Sequence, residues 1–314
     1  MTRHLTIAAI AATLALGAPA VRAEQFINVL TGGTSGVYYP LGVALSEIYA
    51  QGIADARTQV QSTKASVENL NLIQQGKGEI GFALGDSVKY AWEGNADAGF
   101  KAPLSKLRAV AAIYPNYVQI AALAEAGVST VADLKGKTLS VGAAKSGTEL
   151  NARAILDAAG LSYEDLGKVE YLPFAESVEL MKNRQLEATL QSSGLGNAAI
   201  KDLASSQEIT IVSVPADVVE KIGAPYIAGV IPAGTYQGQA EDVPTAAVVN
   251  FLVTSEDLSE EVVYQMTKLL FENLDKLQAA HSAAGGIRLE DAPKGSPIPL
   301  HPGAERYYKE QGLM

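Results

Sequence analysis

The chain has 314 residues, with 24 Lys and Arg against 34 Asp and Glu, a net charge of −10 at pH 7 and no cysteine. An acidic balance without any basic run argues against nucleic acid or anionic lipid as a partner. Without cysteine, stability rests on a buried core and not on disulfides, and at roughly 150 residues per domain the length reads as two domains.

Residues 1–23 read as a cleavable export signal. Arg3 supplies the basic start, Leu5 to Leu16 an apolar run, and Val21-Arg22-Ala23 a small-residue cleavage site. The run is short and alanine-rich for a membrane span, and no later stretch is long and apolar enough to be one. Loss of Arg3 and Arg22 with this segment would bring the net charge to −12.

From Glu24 onward, short β-branched runs alternate with helical periodicity. Strands are expected at Phe26–Leu30, Thr58–Gln61, Ile80–Leu84, Val110–Ile113 and Val118–Leu123. Further strands are expected at Thr138–Val141, Val169–Leu172, Ala188–Leu190, Ile209–Val214 and Ala247–Val253. Helical stripes lie between them: Leu41, Leu45 and Ile48; Val67, Leu70 and Ile73; Glu149–Ala159, closed by Gly160; and Glu260–Leu277, with Val263, Met266, Leu270 and Leu274 on one face. This alternation is the pattern of an α/β protein with parallel sheets and helices on both faces.

Three loops share one chemical character. Thr31-Gly-Gly-Thr-Ser-Gly-Val-Tyr-Tyr-Pro40 joins a strand to a helix through glycines and hydroxyls. Ser62-Thr-Lys-Ala-Ser-Val-Glu-Asn-Leu70 does the same, with Ser66 as the expected N-cap and Asn69 placed to complete it. The third, Val141-Gly-Ala-Ala-Lys-Ser-Gly-Thr-Glu149, offers Ser146 and Thr148, and Gly147 allows close backbone approach. Free N–H groups and the positive dipole end of a helix receive anions. In open α/β sheets ligands sit beyond the carboxyl ends of the strands, where all three loops fall. Coming from two halves of the chain, they point to a cleft between two lobes.

The motifs resemble the TAXI-type solute receptors of TRAP transporters, over nearly the whole of residues 24–314. The resemblance rests on GGTSGVYYPLG at Gly32–Gly42, SVENL at Ser66–Leu70, ADLKGKTLSVG at Ala132–Gly142, SGTELNARAILDAAGL at Ser146–Leu161, IPAGTY at Ile231–Tyr236 and HPGAERYYKEQG at His301–Gly312. It implies a two-lobed type II periplasmic binding protein fold that closes by a hinge around a small organic anion and delivers it to membrane permease subunits. Glutamate, glutamine and dicarboxylates such as 2-oxoglutarate are the ligand class it implies, with a periplasmic monomer and no cofactor or metal. By position, Thr34, Ser35, Tyr38, Ser66, Asn69, Ser146, Gly147 and Thr148 match the cleft-facing motifs of that family, and Gly33 belongs to the first of them.

Departures from the family pattern add candidates. Leu84-Gly85-Asp86 stands where relatives often read Gln-Ser-Asp, and Gln191-Ser-Ser-Gly-Leu-Gly196 replaces a Gly-x-Pro turn, leaving Asp86, Gln191 and Ser192 as polar groups near the cleft. Lys64 and Lys145 adjoin two of the loops and could neutralise a second carboxylate, while Asp86 would receive a lysine or the α-amino group of a ligand. Enzyme signatures are weak. Gly142–Ser146 lacks the glycine that precedes a P-loop lysine, and no G-x-S-x-G or H-E-x-x-H motif is present. His301, in His-Pro-Gly, reads as a turn residue. A secreted esterase-like hydrolase and a ligand-free antigen are the alternatives. One lobe is expected over 24–115 and 225–314 and the other over 116–224, with crossings at Tyr114–Tyr117 and near Pro244.

Overall fold

A computed structural model describes residues 24–314; the expected signal segment, 1–23, lies outside them. The first part of the chain alternates β1 (Gln25–Leu30), α1 (Tyr38–Gly52), β2 (Ala56–Gln61), α2 (Ser66–Gln74), β3 (Ile80–Leu84) and α3 (Gly85–Glu93). The long strand β4 (Leu107–Leu123) leads to β5 (Thr138–Ser140), α4 (Gly147–Ala158), β6 (Lys168–Glu170), α5 (Phe174–Lys182) and β7 (Ala188–Ser193). Then follow α6 (Ala198–Ser206), β8 (Ile209–Val212), α7 (Ala216–Ile222), β9 (Ile227–Ile231) and a second long strand, β10 (Val243–Ser255). Helices α8 (Glu260–Glu272), α9 (Leu274–Ala280) and α10 (Pro302–Glu310) complete it.

The ten strands form one sheet with the principal order β2-β1-β3-β10-β4-β7-β5-β6, while β8 pairs with β4 and β9 with β10. At each outer end the strands are parallel, as the strand–helix alternation requires. The middle is antiparallel, because β4 and β10 run past one another from Leu107–Ser255 to Tyr117–Ala247. Both are buried along most of their length, and so read as continuous apolar runs without alternation.

These two strands link two apolar cores. One gathers Ile27, Leu41, Phe82, Val110, Leu252 and Tyr308, extended by Leu70 and Phe100 behind α2 and α3. The other gathers Ile120, Leu139, Ile155, Leu190 and Val212, extended by Met181 and Ile200 behind α5 and α6. Tyr226, Ile231, Tyr236 and Ala246 join the second core. The segment expected to return to the first lobe at residue 225 therefore packs with the 116–224 block as far as Ala246, and β10 crosses back after it.

Three elements differ from the sequence expectation. The two strands expected either side of Tyr114-Pro115-Asn116-Tyr117 are one strand. Pro115 lies opposite Val249, next to a register shift between Val249 and Phe251, which is where a residue without an N–H is tolerated inside a sheet. The helix expected over Glu260–Leu277 breaks at Asn273, whose φ of −130° leaves the helical region. Strand β9 is an edge element exposed along most of its length, in which Ala228 and Gly229 interrupt the strand-favouring Ile227, Val230 and Ile231.

Candidate ligand cleft

Four helices begin at the gap between the lobes. Val37 and Tyr38 start α1, Ala65 precedes α2, Ser146 precedes α4, and Pro173 precedes α5. Only α4 has a side-chain cap here, Ser146 Oγ accepting from Glu149 N at 3.1 Å; α1, α2 and α5 have none. First-turn N–H groups without a cap remain available as donors, and each helix end carries about half a positive charge.

Two adjoining cavities lie among these ends. The inner one, about 50 Å³, is lined by Gly32, Gly33, Gly36, Val37, Tyr38, Ala65, Asn116, Phe174, Ser192 and Ser193, with no lysine, arginine, aspartate or glutamate among them. The outer one, about 310 Å³, shares Gly33, Ala65 and Phe174 with the inner. Thr34, Ser35, Ser62, Thr63, Lys64, Ser146, Thr148 and Glu176 are among its other lining residues. Of the sequence candidates, Gly33, Thr34, Ser35, Tyr38, Lys64, Ser146, Thr148 and Ser192 thus line this space.

The others stand elsewhere. Ser66 is the first residue of α2 and not its cap; Ala65 occupies the N-cap position at φ 66°, and Ser66 Oγ accepts from Leu84 N at 3.1 Å. Asn69 is fully buried: its amide donates to Thr31 O and Phe82 O at 2.7 and 2.9 Å, and its Oδ1 accepts from Thr63 Oγ1 at 2.6 Å. With those atoms engaged it ties the first two loops together. Gln191 is buried on the opposite face of β7 from Ser192, accepting from the Asn197 amide at 3.2 Å, as strand alternation dictates. Lys145, at φ 64°, is exposed and absent from the lining of both cavities. Gly147 lies against Ser66 of the facing lobe.

Asp86 pairs with neither a lysine nor open solvent. Its Oδ2 accepts from Tyr226 Oη at 2.6 Å and from Asn151 Nδ2 at 2.7 Å, and its Oδ1 from Ser87 N at 2.7 Å. Burial pushes its carboxyl above the usual range, the hydrogen bonds from Tyr226 and Ser87 only partly opposing this. Because Asn151 and Tyr226 belong to the second core's side, Asp86 is a contact between lobes. From there a polar chain runs beneath the inner cavity. Ser192 Oγ donates to Asn151 Oδ1 and accepts from Asn116 Nδ2 at 3.2 Å, and Asn250 Nδ2 donates to Asn116 Oδ1 at 3.3 Å. Tyr38 Oη donates to Asn250 Oδ1 at 2.5 Å, and its ring stacks on Phe82 with centroids 4.9 Å apart. Its hydroxyl is therefore committed, and desolvation raises its pKa far above the ordinary phenol value.

Sequence reasoning missed Asn116, Ser193 and the start of α5. The last had a legible signal, Leu172-Pro173-Phe174-Ala175-Glu176, a proline and a first-turn acid directly after a strand. His301 caps α10: Nδ1 accepts from Gly303 N at 3.1 Å, and Nε2 lies 3.1 Å from Leu258 O.

Two lobes joined by a pair of long strands, with helix ends converging between them, define a periplasmic binding protein fold. Solved structures share it. The alkanesulfonate-binding protein SsuA of Xanthomonas axonopodis pv. citri, bound to MOPS, is 16% identical with a TM-score of 0.53, over 93% of this chain and 95% of that one. PhnD1 of Prochlorococcus marinus, in complex with methylphosphonate, is 11% identical with a TM-score of 0.59, over 92% and 99%. A putative L-cystine ABC transporter protein of Listeria monocytogenes is 15% identical with a TM-score of 0.52, over 84% and 98%. The chain belongs to the NMT1-like family, whose profile matches residues 29–312.

Proposed function

We propose that this chain is an extracytoplasmic solute receptor that encloses a small organic anion between its lobes and hands it to membrane permease subunits. The observation that carries this reading is the convergence of four helix N-termini on a cavity free of acidic side chains in its inner part. An anion there is held by backbone donors, by the hydroxyls of Thr34, Ser35, Ser146 and Thr148, and by Lys64 at the outer chamber. The similar folds bound to MOPS and methylphosphonate support an anionic ligand. Lobe boundaries follow the cores: 24–116 and 247–314 on one side, 117–246 on the other. The chain then works as a monomer in the periplasm after removal of residues 1–23.

The finer reading is a TAXI-type receptor of a TRAP transporter for glutamate or a related dicarboxylate, supported by the motifs from Gly32 to Gly312. An ABC-type permease is the second reading, favoured by the likeness to the L-cystine ABC transporter protein of Listeria monocytogenes. Mass spectrometry of the small molecule released on denaturing natively purified protein identifies the ligand. A glutamate-like acid supports the proposal; no released molecule, together with no thermal shift on adding dicarboxylates or acidic amino acids, refutes it. Uptake into membrane vesicles supplied with the receptor separates the permease types, since a strict ATP requirement favours the ABC reading and gradient-driven uptake the TRAP reading.

A further inference from the structure

Two glycines of the second lobe touch the first lobe at separate points, Gly147 against Ser66 and Leu84 and Gly194 against Ala283, Tyr114 and Val37. A Cβ at Gly147 would stand 2.6 Å from Ser66 Oγ, 2.9 Å from Ser66 Cβ and 2.7 Å from Leu84 Cδ1. A Cβ at Gly194 would stand 2.9 Å from Ala283 Cβ, 3.2 Å from the Tyr114 ring and 3.3 Å from Val37 Cγ2. Separations below 3.0 Å lie inside van der Waals contact, so at either position something must give way. The neighbours have little freedom. Ser66 is 1% exposed and held by Leu84 N, and Ala283 has no rotamer to change. Neither glycine is at positive φ, so their backbone conformations suit any residue. Glycine is needed at these points only because the other lobe comes so near.

We infer that Gly147 and Gly194 set how far the lobes close, and with it the size of solute the cleft can enclose; this rests on the receptor reading above. Each marks a point where the interlobe gap vanishes, one beside the start of α4 and the other just after β7. A methyl group at either holds the lobes apart. Two solid packed bodies respond to such a clash by hinge rotation about β4 and β10, since their interiors deform little. The variants therefore disfavour the closed form while leaving each core intact.

The test uses nitroxide labels at Gln75→Cys and Glu164→Cys, exposed sites on different lobes in a chain without native cysteine. Pulsed electron–electron resonance reads the distance distribution for protein as purified and with L-glutamate added. The wild type should show a short, closed-form distance in at least one condition. Gly147→Ala and Gly194→Ala should lose that population, with the urea unfolding midpoint retained, whereas Gly285→Ala, with nothing within 4 Å of its added Cβ, should keep it. Ala283→Gly should restore closure in the Gly194→Ala background, a rescue that a general folding defect would not give. Alanine variants that close like the wild type overturn the inference, as does a wild type that shows only the long distance. A wild type that closes but ignores glutamate speaks against the glutamate reading alone and leaves the effect of the glycines measurable.

Discussion

Asp86 shows how a chemically conspicuous residue can spend its oxygens on the protein itself and lie outside the lining of both cavities. Its position after a strand and at a helix start suits ligand contact, yet its oxygens are used by Ser87, Asn151 and Tyr226. Because burial raises its pKa in the folded protein, the native state binds its proton more tightly than the unfolded chain does. This contribution to stability is fully present below the unfolded value of about 4 and is lost as pH rises through the raised folded value. Asp86→Asn should remove that pH-dependent loss, visible as a flatter dependence of the urea midpoint on pH than in the wild type. The two lysines divide similarly. Lys64→Ala should weaken anion binding, most at low salt, because this exposed lysine is part of the outer cavity's lining. Lys145→Ala should leave it nearly unchanged in calorimetric titration. Asn69→Ala should destabilise the fold by about 1–3 kcal/mol in urea titration, since buried carbonyls lose their donor.

At the level of elements, the start of α2 carries backbone strain. Ala65 adopts φ 66° and ψ −144°, a region that residues with a Cβ rarely occupy, and it lines both cavities. Ala65→Gly should therefore stabilise the protein by about 1–2 kcal/mol in urea titration. Helix starts and strands were largely legible from sequence, because hydroxyl and glycine loops between apolar runs have few other uses. Thr34, Ser35, Ser146 and Thr148, which line the outer cavity, stand in such loops. What the sequence hid depends on contacts between distant segments. Ser66 carries the composition of a cap, yet Leu84 N takes its oxygen. Gln191 and Ser192 look equivalent in a polar run, but strand geometry turns one into the core and the other to the cleft. Pro115 marked a break that pairing with β10 instead absorbs.

At the scale of the whole molecule the two lobes are joined by direct contacts as well as by the long strands. Leu150 packs into the first lobe's core from α4, and Arg153 Nη1 donates to Asp97 O at 3.1 Å. A ligand at a hundred times its dissociation constant should raise unfolding stability by about 2.7 kcal/mol, measurable as a shift in urea midpoint. Both lobes should unfold together in its presence, because it bridges them.

The sheet order has a consequence for how the chain is made. Strand β3 is flanked on one side by β1 and on the other by β10, so that a partner of residues 80–84 arrives only with residues 250–254. In a chain that emerges from its N-terminal end, β1, β2 and β3 come early but wait with one edge unmet, while the stretch from the second half of β4 to the first residues of β10 follows as an uninterrupted block with its own core. The later-numbered lobe can thus be finished first, and the lobe that begins the chain is finished last.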